Sequence, residues 1–271
     1  MKPSHLPTGE QFSVLIAATL FAYALTRNTN LPPLSINLPL PNLFISIPVN
    51  FYTIASLLIA GMTASGSAWL IHSHPYSSNQ NIWQHVWLPA LTAWAISTLL
   101  TGLPPSRLIW WVGLVLGGII IAIVLTAEYI SVDTNDRYYA LSSIVLVILA
   151  YALYLILITI WHSMDIRLFI LYPAVFIATL LVSLRVINLR LDPNGPEIIP
   201  ALGIAIVAAQ TAAALIYWPL SSTRFGLLVV GLVYALGSLI INLREKRHKL
   251  LIFIDPIITL LILWCSAIWI S

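Results

Sequence analysis

Residues 52–75, YTIASLLIAGMTASGSAWLIHSHP, run for twenty positions without a charged side chain before two histidines and a proline close the stretch. At 1.5 Å per residue a helix of that length is about 30 Å long, the thickness of a bilayer's hydrocarbon core. The stretch reads as a membrane-crossing helix with His72 and His74 at its polar mouth. The rest of the chain agrees in composition: 60% of its 271 residues are apolar, 8% are charged, and the mean hydropathy is +0.96. Soluble domains carry about 25% charged residues, so this chain cannot cover itself in water.

The same reading, carried outward, predicts an all-α, polytopic transmembrane bundle forming a single membrane domain over 1–271. Nine spans are expected, at about 12–26, 52–71, 86–103, 108–127, 139–161, 168–187, 198–218, 225–243 and 250–270. The first follows a sole Lys2 and contains Ala22-Tyr23-Ala24, a sequence like a signal-peptidase site; we read it as a retained span. Short links such as Pro104-Pro105-Ser106-Arg107 make neighbouring spans antiparallel.

Basic residues then set the expected orientation. One side gathers Lys2, Arg137, Arg185, Arg190, Arg244, Lys246, Arg247 and Lys249, and the other Arg27, Arg107, Arg167 and Arg224. By the positive-inside rule this predicts the cytoplasmic (inner) membrane, the N-terminus inside and the C-terminus outside. The net charge of +3 is spread over span ends, so it reports threading and points to no nucleic-acid partner. Trp83, Trp87, Trp110, Trp111, Trp161, Trp218 and Trp269 fall near span ends, where amphipathic rings are favoured.

Between the first two spans, residues 27–51 form a proline-rich outer segment. Leu34, Ile36, Leu38 and Leu40 alternate with Ser35, Asn37, Pro39 and Pro41, the period of extended chain. The expectation is a strip lying on the helix ends or against a partner.

Candidate ligand-binding residues are few. His72, His74 and His85 lie at one membrane face, and the loop joining them carries no carboxylate. A polar helix mouth is the plainer reading; an axial ligand to a tetrapyrrole at one histidine and a metal set are the alternatives, and no metal site is assigned. Glu128 is 21 residues past Arg107, about 31 Å along a helix, which predicts a hydrated place at the interface. Arg185 can snorkel outward or pair with Glu128. Asp255 precedes Pro256, a pairing expected where a helix starts, with proton or ion handling as the alternative.

Helix packing is expected at Gly61, Gly113, Gly117 and Gly231, with Gln210 hydrogen-bonding a neighbouring helix. A faint echo joins Pro89-Ala90-Leu91 to Pro200-Ala201-Leu202, and Val112-Gly113-Leu114-Val115 to Val230-Gly231-Leu232-Val233, as a parallel repeat of transporter type would. No phosphate-binding glycine loop, H-E-x-x-H or G-x-S-x-G is present, and Cys265 is the sole cysteine.

At GMTASGSAWLIHSHP, LTAEYISVDTNDRYYALSS and YWPLSSTRFGL the chain resembles an uncharacterised bacterial family of multi-pass membrane proteins, known as a domain of unknown function. That resemblance implies no activity and supplies no catalytic residues. The leading expectation is an accessory or structural component that docks other membrane-protein subunits within the lipid bilayer. The alternatives are a transporter of a small solute or lipid and, third, an enzyme acting on lipid head groups through Glu128, Asp133 and the histidines. No cofactor is required by the sequence.

Overall fold

The computed structural model describes residues 7, 9–27, 34–40, 43–49, 51–74, 82–104, 107–164, 167–191, 197–245 and 249–269. Within them the chain forms α1 (Gly9–Thr26), β1 (Leu34–Leu40), β2 (Leu43–Val49), α2 (Phe51–His72), α3 (Trp87–Thr101), α4 (Leu108–Ile130), α5 (Tyr139–Ser163), α6 (Leu168–Arg190), α7 (Ile198–Leu215), α8 (Ser222–Arg244) and α9 (Lys249–Trp269). A 3-10 turn, Ile82–His85, leads into α3. All of these helices except α3 are long and apolar enough to cross a membrane, eight in all. The fold is a polytopic helical bundle, as the sequence predicts.

The third helix is the informative exception. It has 15 residues, about 22 Å of rise, and it is the centre of the molecule. Leu88, Leu91 and Ala95 belong to one buried cluster with α4 to α8, whereas Ala93, Ile96 and Leu100 belong to a second with α1, α2 and α4. Each trio is spaced i, i+3, i+7, and the second is shifted from the first by five residues, about 140° around the axis, so two well-separated faces of one helix join two half-bundles. Trp94, at mid-helix, packs against Trp161 with ring centroids 5.2 Å apart.

Helix association in lipid rests on close packing and hydrogen bonds, because apolar tails give no hydrophobic drive between helices. Tyr23 ties α1 to α3 by donating to the Ala93 carbonyl at 2.8 Å. Past the end of α1, the Arg27 guanidinium lies over Trp110 and Trp111, 5.0 and 4.6 Å from their ring centroids. Five alanines of α7, Ala201, Ala205, Ala208, Ala209 and Ala212, are buried, while Ala213 and Ala214 beside them are not.

The proline-rich segment is more ordered than the expected strip. It folds back on itself as an antiparallel hairpin in which Leu34, Ile36, Leu38 and Leu40 pair with Val49, Ile47, Ile45 and Leu43. Proline lacks an N–H and suits only the non-hydrogen-bonded pairs of such a ladder. Pro39–Phe44 and Ser35–Pro48 are four steps apart, so one register accommodates both prolines.

Candidate functional site

Four side chains from three parts of the chain meet at one end of the bundle. The 3-10 turn supplies His85, α4 supplies Glu128 with Ser131 at its C-cap, and α6 supplies Arg185; each is 4% exposed or less. Arg185 holds the Glu128 carboxylate with two prongs: Nε donates to Oε1 at 2.8 Å, and Nη2 donates to Oε2. Nη2 also donates to Ser131 Oγ at 2.8 Å, and that hydroxyl donates to the Glu128 main-chain oxygen at 2.9 Å.

His85 Nδ1 lies 2.9 Å from Glu128 Oε2. A carboxylate oxygen only accepts, so Nδ1 carries the proton and donates. The 3.1 Å approach of Arg185 Nη2 to the same nitrogen is then two donors sharing one oxygen. His85 lies outside the spans; burial pushes its imidazole below the ordinary histidine value and Arg185 acts the same way, against the opposing pull of Glu128. The arrangement is a neutral histidine beside a buried, two-pronged ion pair. Chemically it is a latch, because the carboxylate a reaction would need is already engaged by the guanidinium.

The expectation for Glu128 changes here. Glu128 is fully buried and its charge is met by Arg185 and His85, so it is not a hydrated interface residue. The reason is the third dimension: a helix end at interface depth is still covered when α3 and α6 close over it. The three histidines do not form a set. His72 is exposed, whereas His74 is buried with its ring edge-on to Tyr129, centroids 4.6 Å apart. Burial lowers the His74 imidazole value, opposed by Asp133 and Asp136. Among the described residues no three His, Cys, Asp or Glu side chains are grouped to hold a metal. His85 finds its carboxylate 43 residues away on α4, not in its own loop.

Asp255 is not a helix start. The helix begins at Lys249 and carries Pro256 inside it, placing Asp255 about 9 Å along the rise. A proline within a membrane helix is tolerated because side chains can satisfy the freed backbone groups. The Thr259 hydroxyl back-bonds one turn down the same helix, donating to the Asp255 carbonyl at 2.9 Å. The Asp255 side chain is exposed; its Oδ2 accepts from Ser238 Oγ at 3.0 Å and from Asn242 Nδ2 at 3.5 Å, both on α8. Beside it lies a cavity of about 70 Å³ bounded also by Tyr151 of α5, Arg190 of α6 and Tyr234 of α8. Nothing in the sequence reading singled out those three; a signal was available in tyrosines placed well inside spans, away from the aromatic belt.

The packing residues divide. A Cβ on Gly117 would stand 2.7 Å from Ile96 Cγ2, one on Gly113 3.1 Å from Leu103 Cδ1, and one on Gly231 3.1 Å from Leu263 Cβ. These glycines sit where α4 meets the α3 segment and where α8 meets α9. Gly61 is otherwise: nothing lies within 4 Å of its Cβ position, and it faces outward. Gln210 is likewise exposed, with no hydrogen bond to a neighbouring helix among the described residues. The division has one cause, since the sequence shows which residues are small or polar but not which way their helix is turned, and a small outward face such as that at Gly61 is open to another subunit rather than to this bundle.

The model of the family described as "Protein of unknown function (DUF5656)" matches residues 31–270. The chain belongs to that family. In this DUF5656 member the match takes in the latch, the cavity at Asp255 and the hairpin. No curated protein and no solved structure matches the chain. With its apolar helices, the chain is an integral membrane protein of a family whose activity is unknown.

Proposed function

We propose that this protein is a structural or accessory component of a membrane assembly, set in the cytoplasmic membrane with its N-terminus inside and its C-terminus outside. The observation that carries this reading is the uneven use of the helices. Half of the apolar window is buried in α6 and α8, against 17% in α1 and 11% in α9. A helix needs little self-packing when another subunit completes it, and α9 offers Phe253, Ile257, Leu261 and Ile268 on its exposed side. The latch supports the same reading, because its charges join α4, α6 and the entry to α3 and leave a rigid interior. The test is affinity purification from the native membrane in mild detergent, with mass spectrometry of what is retained. Stoichiometric membrane-protein partners, lost on substituting Leu261 and Ile268 by Ala, are expected; an isolated chain that is monomeric and transports or catalyses by itself contradicts the proposal.

The cavity at Asp255 favours a second reading, transport of a small solute or lipid. Under it, flux into reconstituted vesicles is abolished by Asp255→Asn.

A further inference from the structure

The groove among α5, α6, α8 and α9 presents opposite charges that do not meet. Arg190 closes α6 and lines the cavity, yet makes no hydrogen bond or ion pair among the described residues. Asp255 lines it too and among the described residues has no cationic partner: both of its side-chain hydrogen bonds fall on Oδ2, and Oδ1 receives no donor. Tyr151 and Tyr234 face each other there with ring centroids 5.2 Å apart, and neither hydroxyl has a hydrogen-bond partner among the described residues. Two charges and two hydroxyls therefore line one opening, and among the described residues Arg190, both hydroxyls and one Asp255 oxygen have no hydrogen-bond partner, in contrast to the engaged latch.

The charges select the occupant. A bare cation at Asp255 is opposed by Arg190, and a bare anion at Arg190 is opposed by Asp255, whereas a molecule carrying both signs satisfies each. Oδ1 asks for an N–H donor, which a primary ammonium has and a trimethylammonium lacks. The volume of about 70 Å³ accommodates roughly five waters at about 10–15 Å³ each, enough for an ammonioethyl group with its anion at the mouth. The position agrees, because Arg190 ends its helix, and basic residues at span ends lie at head-group level.

We propose that this groove binds a small zwitterion, its primary ammonium on Asp255 and its phosphate on Arg190 and the tyrosine hydroxyls, the phosphoethanolamine unit being the chemistry that fits. The unit can arrive as a phospholipid head group or as a free solute. This goes beyond the accessory reading and does not depend on it, since it concerns the inward wall of α9 and not its exposed side.

The test uses the full chain, purified and exchanged into nanodiscs containing phosphatidylethanolamine, phosphatidylcholine or phosphatidylglycerol, with retained lipid counted by native mass spectrometry. Free phosphoethanolamine is titrated into the detergent-solubilised chain in parallel. One phosphatidylethanolamine should be retained about tenfold over either competitor, a preference lost in Asp255→Asn, while Arg190→Gln weakens retention by a similar factor. Saturable binding of free phosphoethanolamine, lost in the same variants, supports the same site with a soluble source; its absence beside selective retention supports the lipid. Equal retention of all three lipids by the unsubstituted chain, with no saturable binding of the free compound, overturns the proposal, and that outcome needs no variant to fold.

Discussion

Glu128 and Asp255 are two carboxylates on membrane helices, and the bundle treats them in opposite ways. Glu128 is fully buried and its carboxylate is engaged by a guanidinium and an imidazole brought from elsewhere in the chain. Asp255 is exposed on a peripheral helix, with two neutral donors on one oxygen and none on the other among the described residues. Burial is costly for a charge unless its partners are fixed in place, so the first carboxylate is held where three elements lock together. The second stands where α9 leans on α8 and the neighbours leave room. The lesson is that an acid's depth along a span says less about its role than the number of helices converging on it.

The comparison breaks most sharply at the latch. Arg185→Met strands a buried carboxylate, and a loss of about 3–5 kcal/mol in unfolding free energy is expected; pairing it with Glu128→Gln should recover much of that. A chemical-denaturation double-mutant cycle in detergent reads both, and additive losses would dissolve the latch into separate contacts. Next in size, Gly117→Leu drives a side chain into Ile96 and should cost about 1–3 kcal/mol, whereas Gly61→Ala should stay within about 0.5 kcal/mol. Thermal melts of the two variants against the parent give the contrast.

Acid should loosen the latch. The fold holds His85 below its ordinary value, so above about pH 6.5 both folded and unfolded chains keep it neutral. As the pH falls below that, the unfolded chain takes up a proton that the fold refuses. Stability should drop by up to ~1.4 kcal/mol per pH unit until His85 itself titrates in the fold. His74 is lowered as well and adds in the same direction. A flatter stability profile between pH 6.5 and 5 in His85→Asn would confirm the source, and an unchanged slope would assign it elsewhere. The smallest effect is expected for Asp255→Asn, which keeps a hydrogen-bonding group beside Ser238 and should shift stability by less than about 1 kcal/mol. A collapse of the melt in that variant would make Asp255 a second latch.

The architecture was legible because length and hydropathy encode it: a run of twenty apolar residues has one physical use, and such runs recur along the chain. The pairing of Glu128 with Arg185 was foreseen as one of two options, since both lie at the same face and a buried charge seeks its opposite. His85 was seen without its partner because the carboxylate that holds it is on another helix, and loop composition carries no information about that. Asp255 was misread for a local reason. Asp-Pro is a start signal in soluble helices, but here α9 runs through the proline, as membrane helices can. The hairpin was half legible: alternation gave the extended chain, while the antiparallel pairing of β1 with β2 did not show in it. Arg190, Tyr151 and Tyr234 were missed because a groove assembled from separate helices has no sequence spacing at all.

The most direct measurement is carboxylate labelling. The purified, delipidated chain is treated with a hydrophobic carbodiimide, digested, and the adduct yield at Asp255 is compared with that at Glu128. An engaged, buried carboxylate is inaccessible and an open one is not, so strong labelling at Asp255 with Glu128 untouched is predicted, and Arg185→Met should make Glu128 reactive. Labelling of Glu128 in the unsubstituted chain at a yield equal to Asp255 would contradict the division of the molecule into a closed latch and an open groove.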